Sequence, residues 1–330
     1  MKCSRTIWLA VAVAAPVWLA AACGTARPAG PLVAPVASVA STIAVPTALK
    51  IRVAGRIVSV ALEDYVAGTA VSEVTPVGES PRTIERVYDV QTIVARTYAL
   101  AHLGRHRADG FDLCDSTHCQ LYEPARLATS RFAGDVRRAA FRSAGRILTY
   151  NARPIDALFH ADCGGHTTTP ELAWGTPPLP YLRAEPDRAP ALTHRSWTVS
   201  LTREQLRTAL NADPRTAPGK RLTSISADPN DRSGRVTGVE ISGDRRIDVR
   251  GDEFRAVMNR TLGAKGIQST RFSIKPTGTT YVLTGTGYGH GIGLCQQGAL
   301  ARARLETPTE AILAGYFPGA RLESLGGRIP

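Results

Sequence analysis

The spacing of apolar residues changes along the chain, and each change predicts an element. Ile7 to Ala22 is a nearly unbroken apolar run behind Lys2 and Arg5, interrupted by Pro16. Alternation begins near Leu49. Ile51, Val53, Ile57, Val58 and Val60 on either side of Gly55 predict a β-hairpin. From Ser80-Pro81 to Gly104 the spacing becomes three and four, so Ile84, Val87, Tyr88, Gln91, Val94, Ala95, Tyr98 and Ala101 form one face of a long helix. Ser80 is its N-cap, Pro81 its first turn and Gly104 its stop. Arg146–Tyr150 and Ile155–His160 read as two strands around an Asn-Ala-Arg-Pro turn, and residues 174–192 as a proline-rich irregular loop. Farther on, Leu201–Leu206 opens a short helix, Leu222–Ser226 and Val236–Ser242 alternate as strands, and Gly251–Leu262 is helical. Tyr281–Thr284 leads into a glycine-rich loop, and Gln296–Leu305 forms a final helix.

These periods divide the 330 residues into an α/β protein with a core domain carrying a groove (48–194 and 276–330) and an inserted smaller α/β subdomain (195–275). The first apolar run changes where the chain must work. A short positive segment, a short apolar stretch and Ala20-Ala21-Ala22-Cys23-Gly24 make residues 1–23 a secretory signal rather than a permanent span. Cys23 after small residues resembles a bacterial lipoprotein cleavage site, whose cysteine sulfur takes the lipid. Leu19 stands one place early for that pattern, so lipidation and plain secretion both stay open. Residues 24–47, rich in Ala, Pro, Val, Ser and Thr, are a flexible linker. The formal charge of +12 comes almost wholly from arginine. It is scattered without basic runs or basic–aromatic clusters, which argues against nucleic acid and suits an anionic wall surface.

An extracytoplasmic setting makes the cysteines informative. Cys114, Cys119, Cys163 and Cys295 are an even set that allows three disulfide pairings. His106, Cys114, His118 and Cys119 also offer sulfur and imidazole donors for a structural tetrahedral zinc, with Cys163 within range of the same set. Cys114 and Cys119 are spaced more widely than in a zinc knuckle, so zinc and disulfide both remain open. Glu73 lies between Val71 and Val74 before a Thr-Pro turn, where partly apolar surroundings would hold a carboxyl protonated. Its plainer reading is a capping or surface glutamate. The loop Gly287–Gly293 lacks the Lys-Ser or Lys-Thr of a phosphate cradle. Cys295 or Cys163 with His290 or His160 allows a third reading, a cysteine peptidase.

Five segments in order resemble the stage II sporulation protein D family, which includes enhancers of cell-wall amidases. They are Glu63-Asp64-Tyr65-Val66-Ala67-Gly68 running on to Val71-Ser72-Glu73-Val74-Thr75-Pro76, then Gln91–Ala99, Cys114–Tyr122, Ala157–Thr167 and Gly287–Ala299, with Pro180-Tyr181-Leu182 between the last two. The chain departs from the pattern at Val74, where methionine is usual, and at Cys295-Gln296-Gln297-Gly298, where Ser-Gln-Tyr-Gly is usual. The resemblance implies a peptidoglycan lytic transglycosylase with Glu73 as catalytic acid and base. Substrate-binding residues are then expected at Arg96, which would position the sugar or Glu73, and at His160, Tyr181 and His290, which would line the groove. Some members of the family carry a zinc site of the His106, Cys114, His118, Cys119 kind. The partners implied are glycan strands, with or without stem peptides, and the membrane through a lipid on Cys23. The alternative within the family is a non-catalytic wall binder that activates or recruits an amidase.

Overall fold

The computed structural model describes residues 43–325 except 44, 190–192, 230 and 264, so the expected signal segment, Cys23 and most of the expected linker lie outside the described residues. The hairpin forms as expected. Strands β1 (Ala48–Val53) and β2 (Arg56–Ala61) pair antiparallel, and Ala54 and Gly55 turn the chain at φ +47° and +82°. Helix α1 (Leu62–Glu73) follows without a break. No apolar stripe announces it, because it is packed on nearly every side: Tyr65, Val66, Ala67, Ala70 and Val71 are all buried.

Helix α2 (Pro81–Ala101) begins where Ser80 accepts the Thr83 N–H at 3.2 Å. The apolar spacing marks one face, yet α2 is buried almost all round beyond Val87. Tyr88, Ala95 and Ala99 join a first apolar cluster with α1, while Val87, Val90, Ile93, Val94 and Tyr98 join a second. Polar residues between these faces are tolerated because each is bonded. The Thr92 and Thr97 hydroxyls donate to the Tyr88 and Ile93 carbonyls, both at 2.7 Å.

Strand β3 (Leu113–Cys114) adds in parallel to β1. Helices α3 (Pro124–Thr129) and α4 (Ala133–Arg142) lead to strand β4 (Arg146–Tyr150), which pairs with the short β5 (Arg153–Pro154). The strand expected from Ile155 to His160 shrinks to β6 (Phe159–His160). Ala157 and Leu158 bond back two residues, to the carbonyls of Ile155 and Asp156, and this interrupts the extended backbone. Helix α5 (Pro170–Trp174) precedes the proline-rich loop.

Strand β7 (Ser196–Thr202) and helix α6 (Arg203–Asn211), capped by Thr202 and Gln205, open the next region. Strands β8 (Leu222–Pro229), β9 (Val236–Gly243) and β10 (Arg246–Arg250), helix α7 (Gly251–Leu262), and strands β11 (Phe272–Thr277) and β12 (Thr280–Thr286) complete it. Two three-stranded sheets, ordered β10-β9-β8 and β11-β12-β7, enclose a third apolar cluster running from Trp197 to Leu283. A boundary at 275 therefore cuts a hairpin, since every residue of β12 pairs with β7. The chain then returns through β13 (Leu294–Cys295), parallel to β6, then α8 (Gln296–Arg304) and α9 (Thr309–Tyr316), and ends on β14 (Arg321–Ser324) beside β4. The architecture is α/β, with helices packed around several small sheets. No helix among the described residues is long and apolar enough to cross a membrane.

The first cluster is stitched by Arg96. Its guanidinium is fully buried and grips the Glu63 carboxylate with Nε at 2.9 Å and Nη2 at 2.5 Å. The remaining N–H groups reach the carbonyls of Ala140 and Arg146 and the Ser143 hydroxyl at 3.1–3.3 Å. One side chain thereby ties α1, α2, α4 and β4 together. Arg96→Met would strand those acceptors without partners. It should lower unfolding free energy in urea by about 3–5 kcal/mol, with lysine restoring little because it lacks the planar fork.

Candidate functional site

Glu73 is the last residue of α1 and stands where two apolar clusters meet. The helix before it packs into the first cluster, and Val74 after it packs against the second. Its Oε1 accepts the Leu121 N–H at 3.0 Å, and Oε2 has no hydrogen bond among the described residues. Burial pushes the carboxyl up to about 7, against the pull of the Leu121 N–H and the Arg126 guanidinium, while the neighbouring Glu123 adds to the rise. Its place at the negative end of a helix favours the proton further. Glu123 itself is ion-paired with Arg126.

Leu121 is held by the loop that follows β3. The Glu123 N–H donates to the Ser72 hydroxyl, and Arg126 donates to the Ser72 carbonyl, both at 3.0 Å. The Tyr122 ring lies 5.1 Å from Tyr65 of α1. The expected donor cluster gathers around β3, with His106 before it, Cys114 in it and His118 and Cys119 on this loop. Ligand atoms of His106, Cys114, His118 and Cys119 all lie within 4.8 Å of one another. Cys119 Sγ is 3.4 Å from His106 Nε2, the two sulfurs are 3.2 Å apart, and each is 3.7 Å from His118 Nδ1. Donor atoms around a tetrahedral zinc stand roughly 3.5–3.8 Å apart, so two thiolates and two imidazoles in this arrangement suit that ion. Cys114, Cys119, Cys163 and Cys295 are all unbridged in this structure.

The other expected site residues fare differently. Arg96 is not a substrate residue: with no exposed side-chain surface and every direction bonded, it cannot reach a sugar. His160 and His290 do come together, with ring centroids 5.4 Å apart, and Trp174 lies 5.3 Å from His290. Their nitrogens are largely committed inward. His290 donates from Nε2 to the Phe159 carbonyl at 2.9 Å and accepts the Ile292 N–H at Nδ1 at 3.1 Å. His160 donates from Nδ1 to the Ile292 carbonyl at 3.1 Å, leaving Nε2 buried and without a partner among the described residues. Burial, with Arg235 and Arg255 nearby, pushes His290 down to about 4 despite its bond to Phe159. Burial, His290 and Arg235 hold His160 well below the usual imidazole range. Both rings are neutral and shape the glycine-rich loop rather than present charge to a ligand. Tyr181 is buried, accepts the Asp156 N–H at 3.2 Å and packs 5.5 Å from Tyr150. Cys163 and Cys295 have no exposed surface, which removes the peptidase reading.

Sequence reading missed the Leu121 N–H, because a backbone donor has no residue signature. It also missed Trp174 and Arg126, which stand outside the resembling segments.

A family pattern described as Stage II sporulation protein matches residues 52–150, which hold Glu73 and the Cys/His loop, and a domain of unknown function matches 190–293. An uncharacterised protein of Brachyspira hyodysenteriae is 30% identical over 259 residues, covering 78% of this chain and 65% of its own length. The amidase enhancer of Bacillus subtilis is 26% identical over 71% of this chain and 37% of its own length. The stage II sporulation protein D of Bacillus subtilis is 25% identical over 80% and 75%. This chain thus spans less than two thirds of the first two relatives.

A carboxyl whose folded-state pKa is raised to about 7 costs stability as pH climbs from the ordinary 4.5 through 7, because only the unfolded chain then ionises freely. Glu73→Gln should therefore leave the melting temperature nearly unchanged at pH 4.5 and raise it by about 2–5 °C at pH 8, read by calorimetry.

Proposed function

The chain belongs to the stage II sporulation protein D family, and we propose that it cleaves peptidoglycan glycan strands as a lytic transglycosylase, with Glu73 as both acid and base. The observation that carries this reading is one half-buried carboxyl, its pKa pushed up to about 7, with one oxygen bonded and the other without a partner among the described residues. Such a group can donate to a glycosidic oxygen. Its carboxylate neighbour Glu123 is ion-paired with Arg126, which favours a mechanism that asks for one carboxyl over one that asks for two. Lytic cleavage needs only one. As the proton passes from Glu73 to the leaving oxygen, the C6 hydroxyl of the muramic sugar attacks its own anomeric carbon. The Glu73 carboxylate then takes the hydroxyl proton and is restored. The product ends in a 1,6-anhydro ring.

His106, Cys114, His118 and Cys119 would hold a structural zinc, which when bound supplies a cross-link for the loop. The loop's own bonds to Ser72 and Glu73 then keep the Leu121 N–H on the catalytic carboxyl. Work outside the cytoplasm follows from the secretory signal and agrees with the family, and a lipid on Cys23 would tether the protein to the membrane. The relative named amidase enhancer supports a second reading, a wall-binding protein that recruits or activates an amidase.

Purified glycan strands, with and without stem peptides, separate the readings. The native protein should release fragments ending in 1,6-anhydro-muramic acid, with rates falling as pH rises through about 7 as Glu73 loses its proton. Glu73→Gln should cut the rate at least ~10²-fold. Ordinary reducing ends would mean hydrolysis. Binding without cleavage by either form would favour the amidase partner. For the metal, elemental analysis should give about one zinc per chain, lost in Cys119→Ser, and a chelator should lower the melting temperature.

A further inference from the structure

The loop cluster uses two of the buried cysteines. The other two, Cys163 and Cys295, meet from distant parts of the chain. Strand β13 lies parallel to β6 with Cys295 opposite His160, and the Cys163 N–H donates to the Cys295 sulfur at 3.2 Å. Both sulfurs and a His160 ring nitrogen lie within 4.8 Å of one another, and neither cysteine has any exposed surface. Cys295 Sγ also caps α8 by accepting the Gly298 N–H at 3.4 Å, and Cys163 Sγ accepts the Gly165 N–H at 3.3 Å.

Two buried sulfurs beside an imidazole could hold a metal, stay as thiols or join. A metal fits poorly. This group offers three donors where the loop cluster offers four, and a cation is already present: the buried Arg235 guanidinium donates to the Cys163 carbonyl at 2.8 Å. The Cys163 thiol donates a long bond to Asp187 at 3.7 Å, but that carboxylate also accepts from Arg302 at 2.7 Å and from Tyr316 at 2.6 Å, so it keeps two closer donors when the thiol proton is lost. Thiols this close in a compartment of disulfide exchange are poised to join.

We infer that Cys163 and Cys295 form a disulfide that closes the chain around the whole region from β7 to β12. The oxidant is a disulfide-bearing thiol oxidoreductase, or a small-molecule disulfide, of the extracytoplasmic compartment. One cysteine thiolate attacks the carrier disulfide and releases one carrier thiol. The second thiolate then displaces the other carrier sulfur. Two protons and two electrons leave the pair, and the carrier disulfide becomes two thiols. Because both sulfurs are buried in the finished fold, exchange accompanies folding, and the completed bond is shielded from reductants. The bond fixes the turn after β6 to the first turn of α8. Beside it, Asp162 and Tyr288 exchange backbone hydrogen bonds at 3.0 and 2.8 Å, so the cross-link braces both ends of the glycine-rich loop. This inference rests on export, not on glycan cleavage.

The test is a peptide map of the full-length protein expressed with its own signal and exported by a bacterial host. The protein is alkylated in denaturant without reduction and then digested. A peptide linking Cys163 to Cys295 is expected, resistant to millimolar dithiothreitol in the native protein and reduced once it is unfolded. Serine caps helices well, so Cys163→Ser with Cys295→Ser should fold, with its melting temperature about 5–15 °C lower. Alkylation of both cysteines, linkage of either to Cys114 or Cys119, or a second zinc lost in the double variant would each overturn the inference. The map does not depend on activity. A linked but inactive protein would count only against the enzyme, and an active protein with both thiols free only against the disulfide.

Discussion

The buried Arg96–Glu63 pair is the constraint on which the rest of the site depends. A guanidinium removed from water must have every N–H satisfied, and here the acceptors come from three elements besides its own helix. Once α1, α2, α4 and β4 are drawn together around that group, the direction of α1 is set. So is the place where its last residue, Glu73, emerges. Of the two roles expected for Arg96, the geometry disfavours contact with a sugar and leaves the other, acting on Glu73 through the helix that ends in it.

Glu73 then acquires its chemistry from position rather than from a special neighbour. It closes a helix, lies where two apolar clusters meet and accepts one backbone N–H. Burial favours the neutral form more strongly than that single bond and the exposed Arg126 favour the charged one. The loop supplying the N–H has few apolar residues of its own. It is secured instead by the packing of Tyr122 against Tyr65 and by bonds to Ser72, and four donor side chains gather at its neck. Holding a loop so firmly is understandable when its backbone tunes the acid.

The second half of the molecule is organised around the glycine-rich loop. Gly291 takes φ +86°, and a Cβ there would run into the Arg235 guanidinium. The buried arginine fills the space a side chain would need, and burial, aided by its charge, keeps His160 and His290 neutral. His290, which looks like a ligand in its Gly-His-Gly segment, is here part of a turn, bonded to backbone through both ring nitrogens.

The residues alone determined the hairpin at Gly55, the start and stop of α2, the capped helix after β7 and the family pattern that points to Glu73. Each is legible because local chemistry decides it: a positive-φ turn, an N-cap hydroxyl, a run of matched segments. The Cys/His donor set was also legible as a composition, since its members stand close in the chain. Tertiary structure alone decided the rest. It buried α2 on both faces, because a stripe records one contact surface and cannot show a second made of Thr92, Arg96 and Thr97. It hid α1, whose small residues carry no period once every side is packed. It moved Arg96 from substrate to scaffold, placed β11 and β12 with β7, and brought Cys163 to Cys295 across the fold. Those outcomes depend on which surfaces meet, and a residue's neighbours in space are not written in its neighbours along the chain.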